Sequence, residues 1–321
     1  MWGGLGRGVY IMYLGEIISL GVAMSWTITA IVSEVATKHM GVLVTNVWRM
    51  LFAMICSALL MWAFTGDFLP VYADSRTWMW MLLSGFVGYF FGDWCLFNSY
   101  LTIGSRFGQL FMTLAPIASA ISAWVMLGQV MSWMSVIAML VTLSGIAISV
   151  LGRTESGHGV KLQLPWKGVL FGIGAGVGQG LGLVLSKGGM DAYAEALPSD
   201  RYDEIMPYIA FSANQIRCIA GLVCFFLWLA FKREIPQLPS LFHDGKAALM
   251  LCLAVTFGPF LGVAFSLIAV QYTAAGIAST LMAITPILIL VPSYYIFHQP
   301  ITLKGVIGAI ISVVGVSLFF V

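Results

Sequence analysis

The sequence predicts an all-α integral membrane protein with ten transmembrane helices. Of the 321 residues, 60% are apolar and only 9% are charged, and the mean hydropathy is +0.97. Soluble domains carry about 25% charged residues, so the outside of this protein must be apolar too. A spanning helix needs about 20 mostly apolar residues, and roughly ten such units fit into this length. The apolar runs do not alternate as the strands of a membrane barrel would.

The ten predicted spans are apolar segments divided by polar or turn-forming residues. No intervening loop is long enough for a soluble domain. The first span is too long, and is followed by too many others, to be a cleaved signal peptide. The predicted spans 1 to 10 are residues 12–34, 44–64, 78–99, 107–127, 132–151, 168–187, 208–231, 247–270, 276–297 and 302–321.

Charge and motif content exclude several classes of protein. The net charge is only +2 and there is no basic block, so no nucleic-acid partner is expected. The five cysteines lie in apolar runs at spacings that match neither a zinc site nor a disulfide framework. There is no H-E-x-x-H motif, and no histidine is buried in a span where it could serve a nucleophile. We therefore predict no enzymatic activity, no cofactor and no metal site.

The chain contains an internal repeat. A shift of 170 residues lays 100–151 over 270–321 without a gap, which matches Pro116 with Pro286 and Gly145 with Gly315. Nearer the start of each half the offset is slightly smaller, and Arg49 meets Arg217. We therefore predict an N-terminal extension (1–11), a first five-helix repeat (12–151), a linker (152–167) and a second repeat (168–321).

An odd number of helices in each repeat has a topological consequence. The second copy must enter the membrane from the opposite side, so the repeats are inverted. Inverted repeats are typical of secondary transporters, which bind substrate near the midplane and alternate its access to the two sides. A membrane receptor or scaffold that transports nothing is the alternative, since it needs helices but no coupled protonation.

Motifs in both halves resemble one family. The first half has Trp26, Gly92-Asp93 and the stretch from Ile103 to Arg106 that leads to Leu114-Ala115-Pro116, and the second has Tyr272 to Ala275, Thr285-Pro286 and Gly305-x-x-Gly308. From about Tyr13 onward the chain resembles the EamA-like branch of the drug/metabolite transporter superfamily. The resemblance implies ten helices, a central cavity lined mainly by helices other than 5 and 10, and movement of small metabolites or drugs, often by export.

The chain departs from this family at two matching positions. Gln129 and Gln299 stand where family members usually have glutamate, so a role of those carboxylates does not transfer. We expect a multi-pass protein of a bacterial inner (plasma) membrane, with the lipid bilayer and a small-molecule substrate as partners. Protons are a candidate coupling ion and a homodimer is a candidate assembly.

Two ionisable residues inside the spans are predicted to pair. Arg49 lies five residues into span 2 and Asp93 lies six residues before the end of span 3, counted from the same face, so we expect them to face each other. Charges inside a membrane are costly and mark functional positions. Asp93 is then a candidate protonation site beside Arg49. The alternative is a buried pair that only fixes helix packing.

Arg217 lacks the partner that its counterpart has. The second-half position that corresponds to Asp93 is the apolar Val263. Glu16 is the nearest carboxylate by depth, and an anionic group of the substrate is the other candidate partner. Alternatively, Arg217 snorkels or bonds to backbone carbonyls.

Polar amides and tryptophans complete the candidate substrate pathway. The amides either bind substrate or bond across helices, and the tryptophans form either a cavity wall or ordinary packing. The candidates are Gln109, Gln179, Asn214 and Gln271 among the amides, with Trp26 and Trp94.

Proline and glycine mark the candidate joints. Pro116 and Pro286 each remove one backbone hydrogen bond at mid-span. Alternate glycines of span 6 form two ridges of the small-xxx-small type, 172/176/180 and 174/178/182, so this span should pack tightly on two neighbours. Gly176 and Gly178 are also candidate bends. The spacing matches no nucleotide-binding loop.

The orientation in the membrane stays open. Basic residues are more numerous on the face of loops 1–2, 3–4, 5–6, 7–8 and 9–10 than on the opposite face. The positive-inside rule then puts both termini outside, whereas the resemblance implies that both are inside. The first face has Lys38, Arg106, Arg153, Lys161, Lys167, Lys232, Arg233, Lys246 and Lys304, and the second has Arg7, Arg76, Lys187 and Arg201.

Overall fold

The computed structural model describes residues 14–127, 132–153, 160–162, 164–272, 278, 281–298 and 301–318. The predicted extension 1–11, Gln129, Gln299 and the Thr273 to Ala275 motif lie outside the described residues. The α-helices are α1 (Leu14–Met40), α2 (Val42–Thr65), α3 (Ser75–Ser84), α4 (Trp94–Phe111), α5 (Leu114–Leu127), α6 (Trp133–Val150), α7 (Trp166–Ala196), α8 (Tyr202–Ile205), α9 (Ile209–Phe231), α10 (Ser240–His243), α11 (Gly245–Val255), α12 (Leu261–Tyr272), α13 (Thr285–Leu288), α14 (Leu290–Phe297) and α15 (Leu303–Ser317).

Three kinds of shorter element join these helices. Two π-helical segments, π1 (Gly85–Asp93) and π2 (Thr256–Phe260), continue α3 into α4 and α11 into α12. Short 3₁₀ turns cover Met206–Tyr208 and Ile235–Gln237. At the junction of the first repeat and the predicted linker, β1 (Leu151–Arg153) pairs antiparallel with β2 (Val160–Leu162), two short strands that an all-α prediction did not include.

The helices are those of a multi-pass integral membrane protein. Within the described ranges, six are long and apolar enough to span a bilayer by length and composition. Large apolar side chains such as Trp133, Phe231 and Leu303 are exposed on the outside, where lipid tails replace water. The six are Leu14–Met40, Val42–Thr65, Ser75–Phe111, Trp166–Ala196, Tyr202–Phe231 and Gly245–Ala269, and the shorter apolar helices are Leu114–Met126, Val136–Ser149, Thr285–Phe297 and Leu303–Ser317.

Two helices run further than the hydropathy pattern predicts. Span 1 was expected to end at residue 34, but α1 continues to Met40, where Lys38 pairs with Glu34 one turn earlier at 2.5 Å. Span 6 was expected to end at residue 187, but α7 continues to Ala196. Polar residues end the apolar run without ending the helix, because the helical backbone satisfies its own hydrogen bonds in water as well as in lipid.

Helices from the two halves of the chain alternate in the core. α1 packs along α11 and α12, and α7 packs along α3, π1, α4 and α5. Likewise α2 lies against α9, and α6 lies against α15. The interior is therefore an interface between residues 12–151 and 168–321 rather than two separate cores.

The glycine ridges of α7 explain its close packing. A Cβ added at Gly176 would lie 2.6 Å from the Phe111 carbonyl oxygen, and one at Gly178 would lie 2.8 Å from the Gly92 Cα. One ridge thus meets the junction of α4 and α5 and the other meets π1, which confirms the predicted packing on two neighbours. α7 runs unbroken from Trp166 to Ala196, so Gly176 and Gly178 do not interrupt the helix, and both serve close approach to its neighbours.

Both predicted proline joints coincide with helix breaks. α4 ends at Phe111 and α5 begins at Leu114, so Pro116 falls in the first turn of a new helix. Pro286 likewise lies in the first turn of α13. A first turn has no intrahelical acceptor for its N–H groups, which is where proline costs least. A third break lies between the predicted spans 3 and 4, where Gly104, with φ of 82° and ψ of 158°, interrupts α4.

The carboxylate of Glu34 caps the helix that restarts after this break. Its Oε2 accepts a hydrogen bond from the Ser105 backbone N–H at 2.7 Å, and its Oε1 pairs with Lys38. Glu34 is only 1% exposed. Glu34 therefore holds the end of α1 against the start of the fourth predicted span.

Candidate functional site

A buried cavity lies between the two halves of the chain. Its volume is about 120 Å³, and since one water needs about 10–15 Å³ by this measure, it has room for a small solute. Its walls come from α1, α2, π1, α4, α5, α7, α9, π2, α12 and α13 together with residues 282–283. No described residue of α6 or α15 lines it, in agreement with what the family resemblance implied for spans 5 and 10.

Arg49 and Asp93 form a buried ion pair on one wall. The Arg49 Nη2 donates to Asp93 Oδ2, and both residues are 4% exposed. Gln179 Nε2 donates to the other carboxylate oxygen at 2.8 Å. The guanidinium also stacks over the Phe97 ring, 4.5 Å from its centroid. The pairing predicted from helix depth is confirmed, and Gln179 of the other half completes it.

Arg217 lies on the same cavity as the Arg49–Asp93 pair. It is 3% exposed, and its guanidinium lies over the Tyr89 ring at 4.4 Å. Among the described residues it forms no ion pair, and its buried Nε has no hydrogen-bond partner. Glu16, in the first turn of α1, is not joined to it by any ion pair within this part of the chain. The partner suggested by depth is therefore not the one that the fold supplies.

The other predicted site residues divide into lining and non-lining groups. Gln109 lines the cavity and donates from Nε2 to the Tyr100 hydroxyl at 2.6 Å. Asn214 is fully buried behind the wall, where its Nδ2 donates to the Pro259 carbonyl at 2.6 Å. The cavity is lined by Trp26, Arg49, Asp93, Gln109, Pro116, Gln179, Arg217 and Pro286, and not by Glu16, Trp94, Gly176, Gly178, Asn214 or Gln271.

Two of the non-lining residues have ordinary packing contacts. Trp94 meets Phe171 edge to face, with ring centroids 5.4 Å apart. Gln271 is exposed, and its Nε2 lies 3.7 Å from the Met190 sulfur. These contacts correspond to the packing alternatives that were weighed from sequence.

The two π segments border the cavity and were missed from sequence. π1 contains Gly88 and Gly92, and π2 and the first residues of α12 contain Gly258 and Gly262, each 170 residues later. The repeat of these two glycines in both halves, together with Pro259 inside π2, was the sequence signal from which irregular helix could have been predicted. Wide π turns are frequent at functional sites.

Side chains satisfy backbone carbonyls of the π segments. Gln179 Nε2 reaches the Gly88 carbonyl at 3.3 Å, and Ser25 Oγ donates to the Phe257 carbonyl at 2.6 Å. Asn214 serves the Pro259 carbonyl in the same way, and its Oδ1 accepts from the Tyr89 hydroxyl. Irregular backbone inside a membrane needs such partners, so these polar residues stabilise the cavity wall, Gln179 from within the lining and Ser25 and Asn214 from behind it.

Two aspartates cap helices that lead toward the cavity. Asp74 accepts from the Thr77 N–H at 2.7 Å at the start of α3, and the hydrogen bonds from Thr77 hold the pKa of Asp74 below its ordinary value. Asp244, 170 residues later, caps α11. Hydrogen bonds from the Ala247 N–H and then from His39 lower the pKa of Asp244. Both groups lie outside the spans.

The fold and the cavity define a multi-pass helical membrane protein with a buried, partly charged chamber. The model of the EamA-like transporter family matches residues 13–151 and 166–321, and this chain belongs to that family, within the drug/metabolite transporter superfamily. The proteins of the family are transporters, not enzymes.

One solved structure, described only as the crystal structure of a protein, has the same fold. The TM-score is 0.61 at 15% sequence identity, and the match covers 95% of this chain and 95% of that chain. No curated protein sequence matches this chain.

Proposed function

We propose that this chain is a secondary active transporter that moves a small metabolite or drug-like molecule by alternating access between two inverted five-helix repeats. The repeats are residues 12–151 and 168–321, joined by the linker 152–167, with ten spans in all. The observation that carries this proposal is the cavity walled by both halves, with Arg49, Asp93, Gln179 and Arg217 on its surface.

Contacts between α6 and α15 support the inverted arrangement. A Cβ at Gly145 would meet Ser312, and a Cβ at Gly315 would meet Thr142. Each residue of one contact is 170 residues from its counterpart in the other. Such an exchange of partners is expected when a two-fold axis relates the halves, and an axis in the membrane plane is the arrangement found in inverted-repeat transporters.

The arginines repeat this exchange at the cavity. Arg217 of the second half lies against Gly88 of the first, since a Cβ there would be 3.0 Å from its Nη2. Arg49 of the first half lies near Gly258 of the second, at 3.8 Å from Nη1 by the same measure. The proline breaks at α5 and α13 also border the cavity, so they are suitable joints for opening it to either side.

We further propose that protons are the coupling ion and that transport is export from a bacterial cell through the inner membrane. Asp93 is the group that would bind and release the proton. Its two carboxylate oxygens are shared between Arg49 and Gln179, which come from opposite halves. A relative movement of the halves would therefore change the environment of this carboxylate. A homodimer remains a proposal of the same kind.

Transport in reconstituted vesicles tests the proposal. Uptake or efflux of labelled metabolites above that of empty vesicles is expected, whereas binding without flux would favour the receptor alternative. Asp93→Asn keeps the size of the side chain and should abolish the pH dependence of flux. Asp191→Asn, on the exposed face of α7, is the matched control. Normal flux and unchanged pH dependence in Asp93→Asn would refute the proton role.

A further inference from the structure

The charges on the cavity wall do not balance. Its described charged residues are Arg49, Arg217 and Asp93. Arg49 and Asp93 are paired with each other, so one positive charge remains, on Arg217. A buried charge without a counter-charge is costly. A bound anion would supply the missing charge.

The Arg217 guanidinium is held in place from its other sides. One face stacks on Tyr89, whose hydroxyl is anchored on Asn214, and Gly88 lets the π1 backbone come close to Nη2. A planar guanidinium fixed in this way presents its donors to a carboxylate at little further loss of freedom. Arg49 differs in charge balance, because Asp93 already neutralises it and Phe97 covers one face, although its Nε also has no hydrogen-bond partner.

Part of the rest of the wall is an apolar patch. Trp26, Leu183, Val263 and Met282 line the cavity and pack in one hydrophobic cluster. Val263 stands where a second Asp93 would be if the repeats were identical. Within the described lining, no carboxylate is left to bind an ammonium group, because the only one is engaged by Arg49 and Gln179.

We propose that the cavity binds a small amphipathic monoanion, with its carboxylate or equivalent anionic group on Arg217 and its apolar body against Trp26, Val263 and Met282. This inference rests on the proposed function of the cavity as the transport site. A cation would meet an uncompensated positive charge, a zwitterion would find no unpaired carboxylate for its ammonium group among the described lining residues, and a dianion would find only one available arginine.

Binding of matched solutes to the purified full-length chain tests this site. Hexanoate, hexanamide, hexylamine and 6-aminohexanoate have similar chains but differ in charge, and 1-pentanesulfonate adds an anion that stays ionised at all working pH values. Binding is followed by tryptophan fluorescence and by melting temperature at pH 7 and constant ionic strength. The two anions should bind at least about tenfold more tightly than the amide, the order of one charge-assisted contact.

Arginine variants locate the preference. In Arg217→Gln the affinity for hexanoate should lie within about twofold of the affinity for hexanamide, and Arg217→Lys should keep part of the difference in affinity. Arg76→Gln removes an exposed arginine that pairs with Glu195, and it should behave as the parent chain. The ranking of solutes on the parent chain tests the proposal even if an Arg217 variant fails to fold.

Three results overturn the anion site: amide or amine binding as tight as anion binding, no binding of either anion, or an anion preference that survives in a folded Arg217→Gln variant. Failure of the transport proposal looks different. A chain that binds 1-pentanesulfonate through Arg217 but never moves it across vesicles contradicts transport alone. A chain that moves the amide without preferring anions contradicts the anion site alone.

Discussion

Replacement of Gly176 by alanine tests whether the glycines of α7 serve packing. The new Cβ would lie 2.6 Å from the Phe111 carbonyl oxygen and 2.8 Å from the Leu114 Cβ. It would thus be about 0.8 Å short of an ordinary contact with a backbone atom, and the junction of α4 and α5 would have to move. Forcing extra volume into a packed interior costs about 1–3 kcal/mol.

Gly188→Ala, on the same helix, is the matched control. Its new Cβ would lie 3.5 Å from the Trp80 ring, an ordinary contact. Both variants gain about 0.5–1 kcal/mol of helix stability from the lost glycine. This gain cancels in the comparison, so Gly176→Ala should be less stable than Gly188→Ala by about 1–3 kcal/mol.

Unfolding midpoints in mixed micelles with increasing SDS measure this difference. Equal stability of Gly176→Ala and Gly188→Ala would refute the packing explanation. If Gly176→Ala were fully stable but no longer supported flux in vesicles, the glycine would instead act as a bend during transport.

Three further predictions concern ionisable groups. Asp93→Asn should lower the free energy of unfolding, measured in SDS, by about 3–5 kcal/mol, because Arg49 would be left buried without a partner. Adding Arg49→Gln to this variant should recover part of the loss. Strictly additive losses of the two substitutions would contradict the pairing. Glu34→Gln should lower the melting temperature more than Lys38→Gln, because only Glu34 also caps the buried Ser105 N–H; equal shifts would exclude that cap. Since the pKa of Asp244 is lower in the folded protein than its ordinary value of 3.8, its stabilising effect is present above that pH and is lost as the pH falls through the folded value. Asp244→Asn should therefore flatten the acid-side fall of melting temperature, and an unchanged fall would contradict this role.

The pairing of Arg49 with Asp93 shows how far sequence reasoning reached the site. Depth along two helices depends only on the rise per residue and on where each span begins, so both positions could be compared before any packing was known. The same reasoning named Glu16 for Arg217 and was wrong in the described structure. Depth gives only the position of a residue along the membrane normal, whereas a contact between two residues also requires that their helices are neighbours.

The glycine-proline elements were predictable to different degrees. Pro116 and Pro286 marked their breaks, because a missing N–H is a local property of the residue. The break at Gly104 lies between the predicted spans 3 and 4, whereas the π1 segment was not identified. π1 contacts Gln179 and Arg217, which come from the other half of the chain.

Composition, hydropathy and the 170-residue offset determined that this is a helical membrane protein, and they supported the interpretation as a repeat. These are properties of each segment in its solvent, and they need no knowledge of neighbours. Tertiary structure alone decided that α1 packs on α11 and α12, that α7 packs on π1, and that Gln179 joins the Arg49–Asp93 pair. It also left Arg217 facing a cavity with a net positive charge, because the balance of buried charges depends on contacts between residues far apart in the chain.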